Sequence, residues 1–159
     1  MALDYTKTVM EHFMHPKNLG EMKDADGIGK VGNITCGDIM WLFIKVGKKK
    51  VKGKEVEFIK EIKFKTLGCA AAIATTSMMT VLAKGKTIDE AMKITNDDVI
   101  KGLGGLPPVK HHCSLLAEEA IAEALYDFFK KSKREIPKNL MAKHRKAEAV
   151  SKVFCKVHG

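Results

Sequence analysis

Residues 39–83 decide the fold, and they read IMWLFIKVGKKKVKGKEVEFIKEIKFKTLGCAAAIATTSMMTVLA. Residues 39–46 are an apolar run of strand character, and residues 56–65 nearly alternate apolar with charged side chains. The glycine- and lysine-rich segment between them predicts a basic hairpin loop that joins neighbouring antiparallel strands, with a solvated turn favoured over a docking site. Residues 70–83 are small or apolar almost all round, which predicts a helix buried against the sheet.

Helices are predicted on both sides of this stretch. Residues 3–13 have helical spacing that ends before Pro16, and residues 89–93 and 97–103 indicate two short helices. A final core helix is expected to begin near Ser114, a residue type suited to capping. The order of helix, strands and helices predicts an α+β domain.

The chain is predicted to consist of one domain and a tail. Residues 1–132 supply the elements described above, whereas residues 133–159 are rich in Lys, Arg, Ala and Glu, and Pro137 predicts the start of a further helix. We interpret residues 133–159 as a basic, helical C-terminal extension. Cys155 lies in that extension without chemically useful neighbours, so it is expected to be incidental.

Composition excludes some classes and leaves others open. A hydrophobic content of 45% over 159 residues is enough for a core, and the formal net charge of +9 suits an acidic protein, nucleic acid or an anionic surface equally well. Nucleic acid ranks low, because aromatic residues make up only 6% of the chain and are not interleaved with basic ones. Charged residues break up the N-terminal segment, and no segment is long enough to span a bilayer, so we expect a soluble, cytoplasmic protein.

Three cysteines stand at the ends of predicted elements. Asp38 follows Cys36 by two residues, Cys69 comes where a strand passes into a helix, and His112 precedes Cys113. Four cysteines in a reducing compartment favour metal binding or thiol chemistry over disulfides, and a helix N-terminus lowers the pKa of a nearby thiol. Because no two cysteines have the short spacing of a zinc ribbon, a joint site requires the fold to gather distant segments.

From about residue 5 to residue 131, the sequence resembles the IscU/NifU-type iron-sulfur cluster assembly scaffolds. Four motifs together make the resemblance specific: the first two span residues 5–20 and 32–38, the third begins at Gly68-Cys69, and the fourth spans residues 106–118 with the sequence LPPVKHHCSLLAE. The resemblance implies a small α+β domain with an antiparallel sheet of about three strands. It also implies an exposed site at one end of the sheet.

The same resemblance implies the ligands and the cargo of that site. Cys36, Cys69 and Cys113 would be thiolate ligands of a transient [2Fe-2S] cluster built from iron and sulfide, because thiolates are soft donors that suit iron. Either Asp38 or His112 would complete the four terminal ligand positions. The alternative is a zinc protein that uses the same five residues. We also expect that zinc can bind this site in the purified protein.

Partners are implied by the resemblance as well. A cysteine desulfurase would deliver sulfur as a persulfide, with Cys113 as its acceptor, and the cluster would pass to apo acceptor proteins without small-molecule turnover. A segment matches the motif by which bacterial relatives engage a DnaK-like chaperone and its J-protein; it comprises Leu106, Pro107, Pro108, Val109 and Lys110. The two prolines are expected to keep this segment extended, and the alternative is a rigid loop that leads into the last core helix.

Overall fold

The computed structural model describes residues 4–32 and 37–158, with the side chains of residues 4–32, 37–149 and Lys152. Cys36 therefore lies outside the described residues. Along the chain the elements are α1 (Lys7–Met14), β1 (Gly27–Gly32), β2 (Ile39–Val51), β3 (Lys54–Leu67), α2 (Ala70–Ala83), α3 (Ile88–Met92), α4 (Asn96–Gly102), a 3-10 turn (Pro108–Lys110), α5 (His111–Lys131) and α6 (Lys138–His158).

The three strands described form one antiparallel sheet in the order β1-β2-β3, which confirms the predicted α+β class. Alternate residues of β2, namely Met40, Leu42 and Ile44, are fully buried on one face. Helix α5 packs against β1 and β2, and α2 packs against β3, so the core lies between this face and the helices. The opposite face of the sheet carries Trp41 and the other intervening residues.

The basic hairpin loop predicted between the strands is wrong, because all of its lysines except Lys52 lie on paired strands. Lys48 pairs across the sheet with Glu57 and Lys50 pairs with Glu55, so opposite charges face each other and extend both strands. The turn contains Lys52 and Gly53, whose φ angles are +51° and +79°. Two successive positive φ angles give the turn twist that a two-residue hairpin prefers.

Strand β1 was not predicted, because its sequence Gly-Ile-Gly-Lys-Val-Gly reads as a polar turn. A Cβ built on Gly27 would lie 2.3 Å from the Ala124 carbonyl oxygen, and one on Gly29 would lie 2.3 Å from that of Ala120. The two glycines therefore allow α5 to approach the edge strand closely. Close packing against α5, which requires these glycines, explains why this segment is a strand, whereas its residue types have low β propensity.

Two helix starts differ from the predictions. Helix α1 begins at Lys7, not residue 3, because the Thr6 side chain caps it by accepting a hydrogen bond from the Val9 amide at 3.1 Å. Helix α5 begins at His111, and Ser114 lies inside its first turn, where its hydroxyl donates to the His111 carbonyl at 2.6 Å. Ser114 is therefore not the helix cap.

The helix predicted in the C-terminal extension is confirmed as α6, and it packs on α5. Leu140 is only 2% exposed. The His144 ring stacks on Tyr126 with centroids 3.7 Å apart and lies 3.0 Å from both carboxylate oxygens of Glu123. Among the described residues, no helix is long and apolar enough to cross a membrane.

Candidate metal and thiol centre

Cys69 lies at the junction of β3 and α2, where it is the N-cap residue of the helix. The backbone N–H of Ala72 in the first helical turn favours the Cys69 thiolate and lowers the pKa of this thiol. Gly68 makes this junction tight, since a Cβ built there would lie 2.8 Å from the Ala72 Cβ and 3.1 Å from the Asp38 Cγ. A larger residue at position 68 would therefore push apart the groups that meet at Cys69.

Cys113 comes from the N-terminal turn of α5, which refines the prediction that it precedes this helix. Its side chain is 0% exposed, and its sulfur lies 3.9 Å from that of Cys69. The Thr75 hydroxyl of α2 donates to the Cys113 carbonyl at 3.2 Å, which ties the starts of the two helices together. The meeting of α2 and α5 thus places the two thiols side by side.

Asp38 joins the cysteines from the segment just before β2. It is 6% exposed, so it is not the exposed turn residue that its position after a glycine suggests. The Cys69 thiol lies 3.8 Å from the Asp38 Oδ2. Gly37 has a φ of +72°, a conformation that glycine adopts without strain, and it directs the chain into β2.

The ligand atoms of Asp38, Cys69 and Cys113 all lie within 4.8 Å of one another. Tetrahedral zinc–sulfur bonds of about 2.3 Å would place neighbouring ligand atoms roughly 3.8 Å apart, close to the separations seen here. The three residues are far apart in sequence: Cys69 follows Asp38 by 31 positions, and Cys113 follows Cys69 by 44. Tertiary packing therefore creates a preformed set of soft and charged donors.

The surroundings of Cys69 favour its thiolate and lower its pKa from 9.0 to about 5. The largest cause is the hydrogen bond from the Cys113 thiol, while the Ala72 amide and the Lys110 charge act in the same direction. Burial and the nearby Asp38 carboxylate oppose the shift. The Lys110 Nζ lies 3.9 Å from the Cys69 sulfur, and that thiolate raises the pKa of Lys110.

His112 also lies beside the centre, with its Nε2 3.4 Å from the Cys113 sulfur. Asp38 and His112 each lie next to a cysteine sulfur, so both remain candidates for the fourth ligand position. The neighbouring His111 turns away, and its Nε2 lies 2.8 Å from the Leu106 carbonyl oxygen. Cys36 and the Cys155 side chain lie outside the described parts of the chain, so their predicted roles stay predictions.

The proline segment before α5 is only partly extended. Pro107 has extended backbone angles, φ −53° and ψ 137°, but Pro108–Lys110 form a 3-10 turn, which corrects the expectation of an extended peptide throughout. Leu106 is buried, whereas Val109 is 66% exposed. The segment therefore anchors one end in the core and presents its other end beside the thiols.

Sequence reasoning missed two neighbours of the centre. Lys110 was assigned only to the proline segment, although its ammonium group lies against Cys69. The Tyr5 hydroxyl has a raised pKa, chiefly through burial, and the charges of Lys110, Cys69 and Cys113 also act on it. The three-residue spacing of Lys110 and Cys113 was a usable signal, because it places both at the start of one helix. No comparable signal marks Tyr5.

The chain is similar to several known proteins. A family model described as the NifU-like N terminal domain matches residues 4–135. The iron-sulfur cluster assembly scaffold protein IscU 1 of Archaeoglobus fulgidus is 52% identical over 128 residues, which cover 80% of this chain and 78% of that protein. A Drosophila melanogaster protein named iron-sulfur cluster assembly enzyme IscU is 47% identical over 135 residues, or 83% of this chain and 82% of that one.

A solved structure supports the fold independently. The N-terminal part of a nitrogen-fixing NifU-like protein from Brucella abortus superimposes with a TM-score of 0.58. The match covers 79% of this chain and 94% of that chain, at 20% sequence identity. At this identity the likeness shows a shared fold.

Proposed function

Because the chain belongs to the family of NifU-like N-terminal domains, we propose that it is a scaffold for the assembly of iron-sulfur clusters. The cluster is built from iron and desulfurase-derived sulfur and then passed to apo acceptor proteins, without small-molecule turnover. The observation that carries the proposal is the convergence of Asp38, Cys69 and Cys113 within 4.8 Å at one end of the sheet. In this function the protein binds iron and the cluster only transiently, as cargo that it passes on.

The ligand set suits a [2Fe-2S] cluster that must later leave. Thiolates of Cys36, Cys69 and Cys113 would hold three of the four terminal positions, and Asp38 or His112 would hold the fourth. An oxygen or imidazole donor matches iron less well than a fourth thiolate does, which favours release. The lowered pKa of Cys69 supports this role, since the ligand form is already present at neutral pH.

Sulfur enters by persulfide transfer, with Cys113 as the acceptor. The Cys113 thiol loses its proton and attacks the terminal sulfur of a desulfurase persulfide, the sulfur–sulfur bond breaks, and the desulfurase cysteine leaves as a thiolate. An external electron donor then supplies two electrons, so that the transferred sulfur enters the cluster as sulfide. Cys113 has no exposed surface in this structure, whereas Cys69 is half-buried. The desulfurase must therefore displace the side chains that cover Cys113 when it docks.

A DnaK-like chaperone and its J-protein partner would engage residues 106–110 to promote release of the cluster. The exposed Val109 offers an apolar contact, and Lys110 in the same segment lies against Cys69. A partner that pulls this segment away would remove a positive charge from the thiolate. The proposed chaperone site and the proposed ligand site are therefore physically coupled.

Anaerobic reconstitution tests the scaffold proposal. Protein supplied with iron and sulfide should gain visible absorption with iron and sulfide bound in equal amounts, and Cys36→Ser, Cys69→Ser and Cys113→Ser should each fail to hold a stable cluster. Cys155→Ser is the matched control and should behave as wild type. Normal cluster yield in all three ligand variants would refute the assignment.

A zinc protein is the second candidate, because the sulfur–sulfur and sulfur–oxygen separations of 3.9 and 3.8 Å fit a tetrahedral zinc site. A dedicated zinc protein should stay colourless under the same reconstitution and retain zinc in metal analysis. A scaffold should exchange zinc for a coloured cluster. The two outcomes are mutually exclusive in a single experiment.

A further inference from the structure

The sheet face opposite the helices carries an aromatic and basic patch near the thiol centre. The register aligns Lys30, Trp41 and Lys65 in one row across all three strands, and it pairs Ile39 with Leu67 in the next row. We call these five residues the Trp41 patch. Leu67 is 67% exposed, Lys30 is exposed and Trp41 is partly exposed.

The lysines of the Trp41 patch lie over the indole ring. The Nζ atoms of Lys30 and Lys65 lie 5.6 and 4.7 Å from the ring centroid. Lys65 also forms an ion pair with Glu21, so this ammonium already takes a carboxylate partner. An apolar centre flanked by cations is the arrangement that a tryptophan-anchored contact with an acidic surface requires.

Among the residues that the structure describes, nothing crosses the part of this face nearest the thiol centre. Residues 20–26 cross the remainder: the Gly20 amide donates to the Phe64 carbonyl at the edge of β3, and the Lys45 ammonium donates to the Asp24 carbonyl at 2.9 Å. At a rise of about 3.3 Å per residue, Trp41 lies roughly 10 Å along β2 from Asp38. A protein bound to the Trp41 patch would therefore reach over the ligands.

We propose that the Trp41 patch docks an acidic protein that accepts the cluster. The docking follows from the patch, whereas the partner's role as acceptor rests on the proposed function. A single-stranded nucleic acid fits less well, because a stacking base needs an open aromatic face and the lysine ammoniums occupy that position. Carboxylates of a protein would instead pair with these lysines while its apolar side chains cover Trp41 and Leu67.

Trp41 is the only tryptophan of the chain, so its fluorescence reports occupancy of the patch directly. The probe is an acidic apo-ferredoxin without tryptophan, titrated into the cluster-free protein. We expect a saturable change in emission, with affinity falling about tenfold from low to high salt. Lys30→Gln/Lys65→Gln should weaken binding about fivefold and slow cluster transfer to the same ferredoxin, with normal cluster yield.

The matched control is Lys50→Gln/Lys52→Gln, which removes two charges at the far end of the hairpin and should change the affinity less than about twofold. Equal losses in both double variants, binding without a change in Trp41 emission, or no binding would each overturn the proposal. Stronger quenching by a single-stranded oligonucleotide would overturn it in favour of nucleic acid. Failed reconstitution of the wild-type protein would refute the scaffold function, but it would not affect the fluorescence measurement of binding to the Trp41 patch.

Discussion

Cys69 concentrates the chemistry of the centre, because its sulfur contacts a thiol, a helix amide and a lysine while remaining partly accessible. Cys113 is its nearest thiol within the described part of the chain and has no exposed surface. The two cysteines therefore divide the work of the site. One holds the reactive thiolate that solvent can reach, and the other is available only when its covering side chains move.

The first prediction concerns the pH dependence of Cys69. Because its folded pKa is about 5 and its ordinary value is 9.0, the folded state holds fewer protons than the unfolded state between these values. The resulting stabilisation is fully present above about pH 9 and is lost as pH falls through about 5. Alkylation of Cys69 in the metal-free protein should rise with pH, with a midpoint near 5.

Mass spectrometry of the alkylated peptides separates Cys69 from the other cysteines. Lys110→Ala should move the midpoint upward, because it removes a positive charge 3.9 Å from the sulfur. Lys152→Ala, an exposed change on α6, should leave it in place. A midpoint near that of a free cysteine in the wild type would contradict the environment described for this thiol.

The second prediction concerns Asp38, whose carboxylate adds a hard donor and a negative charge beside the thiolates. Asp38→Ala should preserve the fold and give a longer-lived cluster that transfers more slowly, with His112 or an external ligand in the vacant position. The decay of visible absorbance in air and the rate of transfer to an apo acceptor measure this. A shorter-lived cluster would mean that Asp38 is chiefly a required ligand.

At the scale of elements, α6 is a structural brace that packs on α5 and also contacts β1. Lys143 pairs with Glu118 at 3.1 Å, and burial raises the pKa of Glu123 where His144 contacts it. None of the proposed ligands lies on α6, and Cys155, which does lie there, is expected to be incidental. Stability and cluster assembly should therefore separate when this helix is changed.

The third prediction tests that separation. Leu140→Ala should lower the free energy of unfolding by about 2–3 kcal/mol, because a fully buried leucine is truncated and a cavity remains. Removal of residues 133–159 should also lower stability while cluster assembly persists. Urea unfolding and anaerobic reconstitution measure the two properties. Loss of the cluster from a truncated but folded protein would place the extension in the site.

The fourth prediction concerns the segment before α5. If a DnaK-like partner is present, Pro107→Ala/Pro108→Ala should weaken its binding to this protein and spare cluster assembly, because the prolines restrict the backbone that the partner meets. Binding is measured by calorimetry with the purified chaperone. Val109→Ala, at an exposed apolar position, separates side-chain contact from backbone restriction. Unchanged affinity in both variants would leave only the loop interpretation.

At the scale of the whole molecule, the centre joins three segments that the chain holds far apart. Asp38 precedes β2, Cys69 caps α2 and Cys113 opens α5, so one bound ion would tie the sheet to both core helices. Ligands that bind only the folded state stabilise it by mass action. Metal occupancy should therefore be visible in global unfolding, and not only at the centre.

The fifth prediction follows from this linkage. Zinc at a hundred times its dissociation constant should raise the free energy of unfolding by about 2.7 kcal/mol, and a chelator should reverse the effect. Thermal unfolding of the wild type, Cys113→Ser and Cys155→Ser provides the measurement. Only Cys113→Ser should lose the response. An equal response in Cys113→Ser would show that zinc binds elsewhere.

The sequence by itself determined the elements whose side chains alternate or repeat with a clear period. Strands β2 and β3 and helix α2 were predicted because local hydrophobic patterns indicate which of their residues are buried. The cysteines, Asp38 and His112 were identified from residue chemistry, junction positions and family resemblance. These features depend on neighbours within a few positions, which a single sequence displays.

Tertiary structure alone decided the features that depend on distant partners. Strand β1 exists because α5 packs closely on Gly27 and Gly29, and the lysine-rich segment is paired strand because glutamates face it. Separate segments also meet where Lys110 contacts Cys69 and where a lysine lies over the Trp41 ring. Local sequence patterns encode burial and backbone preference. The packing of the elements decides which side chains meet, and these side-chain contacts set the electrostatics of the centre.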